Sequence, residues 1–267
     1  MKSAKSNIFS KKIRANSLRM VSVSNSSHIG SCLSVADILA VLFTNILKIF
    51  PKDPKNLNRD RLIFSKGHAS AIYYAALAES GFFDVKKLKN YCKNNSNLFG
   101  HVTKNNIPGV EFSTGSLGHG LPVASGIAFS LKSNKRKNKV YCIISDGECD
   151  EGSTWESALF SSHHKLNNLT VIIDHNKIQS FGRVSKILKL NPFINKWKSF
   201  NWEVKEVDGH SHSDLFSNLI NQKQNKPKVI IAHTIKGKGV PFMEDKLLWH
   251  YRSPNSDELV KSLENLK

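Results

Sequence analysis

Two apolar, β-branched runs constrain this chain more than any other feature. Val140 to Ile144 ends at Ser145-Asp146-Gly147, and Leu169 to Ile173 ends at Asp174-His175-Asn176, with a helix-like stretch between them. Both runs have the length and composition of buried parallel strands. Asp146 and Asn176 then stand at the carboxyl ends of two strands, where open α/β sheets bind ligands. A carboxylate and an amide oxygen suit a hard octahedral cation such as Mg2+, which keeps positions free for phosphate oxygens. Asp-Gly alone is most often a turn; the matching Asn at the second strand end argues for a site. Gly147 allows close backbone approach to an anion, and Ser153-Thr154-Trp155-Glu156 reads as a capping box opening the following helix.

With 267 residues the chain is long enough for one large α/β domain, and no linker or repeat divides residues 1–267. Cys32, Cys92, Cys142 and Cys149 are scattered without a CxxC spacing. That pattern fits a reducing, cytoplasmic compartment and argues against disulfides or zinc. The longest apolar stretch, Val35 to Phe50, contains Asp37, Asn45 and Lys48 and is too short and polar to span a bilayer. No acidic residue precedes Asp37, so the start resembles a transit peptide in composition; it is nevertheless expected to be the first helix. The formal charge of +18 raises nucleic acid as a partner. Against it, 32 of the 39 basic residues are Lys, whereas base-edge and bidentate phosphate recognition favours Arg.

In chain order, residues 8 to 25 read as a helix followed by the small-residue loop Ser26 to Ser31. Ser34-Val35-Ala36-Asp37 reads as a capping box for an amphipathic helix that Pro51 stops. Arg61 to Phe64 is a strand, then Ser65-Lys66-Gly67-His68 leads into a helix over 69–80 closed by Gly81. His68 there suits either a phosphate contact or a helix-start histidine bonded to backbone. Leu98 to Leu121 is rich in glycine but punctuated by Phe99, Val110, Phe112 and Leu117, which predicts an ordered loop with close backbone approaches. Pro122 falls in the first turn of the next helix. Trp202 to Val207 and Val229 to His233 are further strands, separated by a helix from Ser213. Thr234 to Gly239 reads as a flexible turn, and Ser256 to Lys267 as a terminal helix.

The words Ser27-His28-Ile29-Gly30, Lys66-Gly67-His68, Gly115-Ser116-Leu117, Asp146-Gly147 with Glu151-Gly152, and Asn176-Lys177-Ile178 resemble the transketolase family, in family order. The resemblance runs from about Ala15 to Tyr251. It implies the thiamine diphosphate-binding α/β fold, a mostly parallel central sheet with helices on both faces. By the same resemblance Asp146, the Asn176 side chain and the Ile178 carbonyl would hold Mg2+. His68, Gly115, Ser116, Leu117, Gly147, Glu151, Asn176 and His250 would contact thiamine diphosphate, and His28, His68, His101 and His250 would serve catalysis. Two departures stand out. The family usually writes Gly-Asp-Gly where this chain has Ser145, a small and tolerable change. Full-length members usually have Gly-His-Pro-Gly where this chain has Ser27 and Ile29, as in split, two-chain members.

The resemblance therefore implies the amino-terminal subunit of a split transketolase, passing a two-carbon ketol unit from a ketose phosphate to an aldose phosphate. A separate pyrimidine-binding subunit would complete the site, in a heterotetramer with two copies of each chain. The rivals are a subunit of another thiamine diphosphate enzyme, of the 2-oxo acid dehydrogenase or specialised sugar-biosynthesis type, and a non-enzymatic basic nucleic-acid binder. The histidine set His28, His68 and His101 favours a polyol substrate over a 2-oxo acid.

Overall fold

A computed structural model describes residues 2–221 and 225–266. Its elements, in chain order, are α1 (Lys2–Ser24), α2 (Ile29–Val41), β1 (Arg61–Phe64), α3 (Ser70–Glu79), α4 (Gly120–Ser133), β2 (Val140–Ser145), α5 (Gly152–His163), β3 (Leu169–His175), α6 (Val184–Ile187), α7 (Phe193–Ser199), β4 (Glu203–Asp208), α8 (His212–Ile220), β5 (Lys228–His233) and α9 (Ser256–Glu264). The strands form one parallel sheet in the order β1-β2-β3-β5-β4. Every residue of β2, and all of β3 but His175, is buried. This is why these two runs are continuously apolar: both faces of the strand meet a hydrophobic layer.

Alternate strand residues face opposite cores. Tyr141, Ile143 and Ile172 join α1, α2, α3 and α8 in one cluster, while Cys142, Ile144, Val171 and Ile173 join α4, α5 and α7 in the other. The expected mostly parallel sheet with helices on both faces is thus present. Strand β2 pairs β3 with Ser145 opposite Asp174, so the two chain ends that follow leave the sheet side by side.

Several local expectations are corrected. Helix α1 begins at Lys2 rather than residue 8. Helix α2 begins at Ile29, and Ser34 lies inside it; all thirteen of its residues are buried, so it is a core helix and not an amphipathic one. The window Ile29–Ile46 is long and apolar enough to cross a membrane by composition, contrary to the expectation for this region, but 78% of it is packed inside the protein. Glu151, not Ser153, occupies the N-cap position of α5, without a side-chain capping bond, and Ser153 Oγ donates to the Gly118 carbonyl at 2.7 Å. The last helix ends at Glu264, where Asn255 and Glu258 form a capping box at its start; Lys267 lies outside the described residues.

Candidate functional site

The carboxyl ends of β2 and β3 are joined by Asp146. Its Oδ1 accepts from the Gly147 amide at 2.9 Å and its Oδ2 from the Lys177 amide at 2.7 Å, so one carboxylate fixes both turns. Asn176 folds back in the same way, with Oδ1 accepting from the Ile178 amide at 3.1 Å and Nδ2 donating to Ser34 Oγ at 3.4 Å. Both side chains open onto a cavity of about 200 Å3 at the sheet's carboxyl edge. Of the residues picked from the sequence, His68, Gly115, Leu117, Asp146, Gly147, Asn176, Ile178 and His250 line it. A larger cavity of about 340 Å3 between α1 and the 85–93 turn contains none of them.

The four histidines converge on one wall. His28 sits in the left-handed region with φ 74°, uncommon for a residue with a Cβ, and immediately precedes α2. Its ring meets those of His68, His101 and His250 at centroid distances of 5.4, 5.6 and 5.0 Å. Its amide donates to the His250 carbonyl at 2.9 Å, which ties α2 to the last loop. Burial first, then the charges of His101 and Lys236, lowers His28 to about 4. Burial and Lys236 lower His250 to about 3, and burial holds His68 well below its usual range. Neutral rings each offer one donor and one acceptor, the pattern that matches sugar hydroxyls.

Two lysines escaped the sequence reading. Lys66 is fully buried and donates to Asp174, which also accepts from Ser34 and Thr234. Lys236 is 1% exposed and donates to the Ile178 carbonyl at 3.0 Å and to His250 Nδ1 at 2.8 Å. Burial, then Lys66, lowers its ammonium to about 7, against the opposing pull of Asp146 and Asp174. The segment 234–239, expected to be a flexible turn, is instead held by Thr234 on Asp174, by the Ile235 amide on His210 and by the Gly237 amide on the Gly30 carbonyl. The available signal was a lysine between apolar and glycine residues just past a strand end.

Two other predicted residues are not brought in. Ser116 and Glu151 are exposed and lie outside the cavity lining, because the 115–118 loop turns Ser116 outward and Glu151 is spent as the residue preceding α5. His101 is also exposed and outside the lining, and reaches the site through its ring contact with His28 and its approach to Gly115, where a Cβ would lie 3.4 Å from His101 Cδ2. Ser145 replaces a smaller residue without clashing. It is buried, its amide donates to Glu148 Oε2 at 3.1 Å, and its Oγ accepts from the Glu148 amide at 3.3 Å. Glu148 also accepts from Ser65 Oγ, and burial pushes its carboxyl up to about 7 against the hydrogen bonds from Ser65, Ser145 and Gly118.

The donor set fits a hard cation beside a diphosphate. Among the described residues no three His, Cys, Asp or Glu side chains cluster as a metal site. A cation here would therefore use carboxylate, amide and carbonyl oxygens, the set Mg2+ prefers over softer metals. The Ile178 carbonyl already accepts from the Lys236 amine, so it is turned toward the cationic side of the cavity. Lys236 is the cation that an anion in the cavity would meet, while the charge of Lys66 is already matched by Asp174.

Residues 5–265 match the family described as transketolase, thiamine diphosphate binding domain. The chain is 43% identical over 241 residues to an apulose-4-phosphate transketolase subunit from Actinobacillus succinogenes, covering 90% of this chain and 87% of that one. It is 38% identical over 240 residues to a 6-deoxy-6-sulfo-D-fructose transketolase subunit from Clostridium sp., covering 89% and 87%. Among solved structures, the transketolase of Campylobacter jejuni superposes with a TM-score of 0.94 at 34% identity. All of this chain is covered in that superposition, and it spans 43% of the Campylobacter chain.

Proposed function

The chain belongs to the transketolase family as its thiamine diphosphate-binding domain, and from that premise we propose that it is the amino-terminal subunit of a split transketolase. The observation that carries this reading is the cavity in which Asp146, Asn176 and Ile178 meet two buried lysines and the rings of His68 and His250. In this reading residues 1–267 form one diphosphate-binding domain. Asp146, Asn176 and Ile178 would hold Mg2+, while His68, Gly147, Lys66, Lys236 and His250 would bind the diphosphate. Gly115 and Leu117, which line the same cavity, would contact the rest of the cofactor. Bound there, thiamine diphosphate supplies the carbanion chemistry by which a two-carbon ketol unit passes from a ketose to an aldose.

The chain's own residues bind and orient. His28 and His101, whose rings meet at 73°, hold donor hydroxyls and exchange protons with them at their ring nitrogens. His250 receives a hydrogen bond at Nδ1 from Lys236, which leaves Nε2 for the substrate side. The partner is a separate pyrimidine-binding chain, which supplies the other half of the site. The relatives of nearly equal length are named as subunits, and this supports the two-chain reading. Exposed apolar side chains beside the cavity, Phe181 next to Ser180 and Leu248 close to His250, suit a covering chain. The assembly is a heterotetramer with two copies of each chain and sugar phosphates as substrates. The four unpaired cysteines agree with a cytoplasmic setting.

Calorimetric titration of thiamine diphosphate with and without Mg2+ tests the site. Binding is expected only with Mg2+, and Asp146→Ala is expected to lose it; equal binding without the metal would sink the assignment. Ketol transfer is expected only after mixing with the pyrimidine-binding chain. Full transfer by this chain alone overturns the split reading.

A further inference from the structure

Lys236 owes its place to a set of contacts behind the cavity, made by residues that do not line it. Its neighbour Ile235 donates its amide to His210 Nε2 at 2.9 Å. An amide can only donate, so Nε2 accepts, and the ring proton resides on Nδ1. Nδ1 in turn donates to Asp37 Oδ2 at 2.8 Å. Asp37 is buried in α2 and is itself fixed by both terminal nitrogens of Arg14, at 2.8 and 2.6 Å, and by His212 Nε2 at 3.0 Å. The chain Asp37, His210, Ile235 therefore sets both the tautomer and the orientation of an imidazole whose far side grips the backbone next to Lys236.

Helix α2 holds the other side of the same lysine. The Gly30 carbonyl accepts from the Gly237 amide at 2.9 Å, and a Cβ on Gly30 would lie 3.1 Å from Lys236 Cγ. The lysine stem thus passes over Gly30 while Asp37, two turns further along α2, anchors His210. Gly209 allows the approach, since a Cβ there would lie 2.4 Å from Thr234 Cγ2. Free lysine side chains sample many rotamers. Here the backbone on both sides of Lys236 is tied to one rigid helix, and the ammonium is aimed at the cavity.

We propose that His210, oriented by Asp37, is a positioning residue that aims Lys236 at the diphosphate through the Ile235 amide. This rests on the reading of the cavity as a diphosphate site, so the test separates the two. Inorganic pyrophosphate and thiamine diphosphate, each with Mg2+, are titrated into the full chain and its variants. His210→Asn keeps a donor for Asp37 but cannot reach Ile235, and affinity for both ligands is expected to fall on the order of tenfold, as for other outer-shell partners. His210→Gln, whose longer amide can accept from Ile235, is expected to recover most of the loss. In a double-variant cycle, His210→Asn added to Lys236→Met is expected to cost nothing further.

Unchanged affinity in Lys236→Met overturns the diphosphate reading itself. A loss in Lys236→Met with none in His210→Asn, or additive losses in the double variant, overturns the positioning role alone. A merely structural role would lower thermal stability without this coupling or the rescue by Gln. Should His210→Asn not fold, hydrogen exchange on the unaltered chain decides. The Ile235 amide is expected to be slow and to slow further when pyrophosphate binds, and exchange indifferent to pyrophosphate overturns the proposal.

Discussion

The ammonium of Lys66 donates to Asp174 Oδ2, and solvent reaches neither side chain. The pair joins the end of β1 to the end of β3 across the intervening β2, with Lys66 lining the cavity and Asp174 behind it. Burial would raise the Asp174 carboxyl, but Lys66 and the Ser34 and Thr234 hydroxyls more than offset it and hold it low. Such a pair gains little over apolar packing, yet losing one partner strands the other charge. Lys66→Met is therefore expected to lower unfolding free energy by about 3–5 kcal/mol in urea titrations. The double variant Lys66→Met with Asp174→Asn is expected to be more stable than Lys66→Met alone.

The wall opposite Asp146 depends on a close backbone contact. A Cβ on Gly67 would lie 2.5 Å from the Thr114 carbonyl carbon and oxygen. Thr114 cannot withdraw freely, because its Oγ1 donates to the Phe64 carbonyl at 2.8 Å and its amide to the Val102 carbonyl at 2.9 Å. Gly67→Ala must shift the 114–117 segment that carries Gly115 and Leu117. It is expected to cost about 1–3 kcal/mol, as overpacking does, and to weaken thiamine diphosphate binding measured by calorimetry. Gly126→Ala is the control: a Cβ there meets nothing within 4 Å in the interior of α4. It is expected to stabilise the chain by about 0.5–1 kcal/mol without changing affinity.

The buried carboxylate of Asp37 gives stability a dependence on acid. Burial raises its pKa, but Arg14 and the hydrogen bonds from His210, His212 and Arg14 outweigh it and hold it well below 3.8. A depressed carboxyl means the unfolded chain binds the proton first. The contribution of Asp37 is then fully present above about pH 4 and fades as pH falls through the folded value. Asp37→Asn is expected to be less stable than the natural chain by about 3–5 kcal/mol at pH 7, where Arg14 is left unpaired. The gap should narrow steadily below pH 4 in thermal unfolding scans; a gap independent of pH contradicts the assignment.

The strands and their ends were legible because continuous burial leaves a continuous apolar run, and β2 and β3 read that way directly. Asp146 and Asn176 followed from those ends, and Ile178 only from the family resemblance. The lysines did not, since a buried Lys is rare and its partner is remote: Asp174 lies 108 positions from Lys66. Helix α2 was misread because polar Ser34 and Asp37 look like a solvent face. They are polar for the opposite reason, as buried partners of Asp174 and of Arg14, His210 and His212. Glu151 and Ser116 sit in the right words but on the outer side of their turns, and a linear motif does not specify which side a turn presents.

The histidine wall makes a prediction about charge. Burial lowers His28 to about 4 and His250 to about 3, from 6.5. Between pH 5 and 8 both rings stay neutral, so their imidazole 15N shifts are expected to be flat over that range in the chain alone. Because the folded rings refuse a proton that the unfolded chain accepts, the unfolded state binds more protons between about 4 and 6.5. Stability therefore rises with pH across that window and is lost as pH falls through it. His28→Gln removes one of the two groups, and its unfolding temperature is expected to fall less steeply between pH 6.5 and 4. A titration of the His28 ring near 6.5 would mean that the wall is open to water. The neutral donor and acceptor pattern assigned to it would then fail.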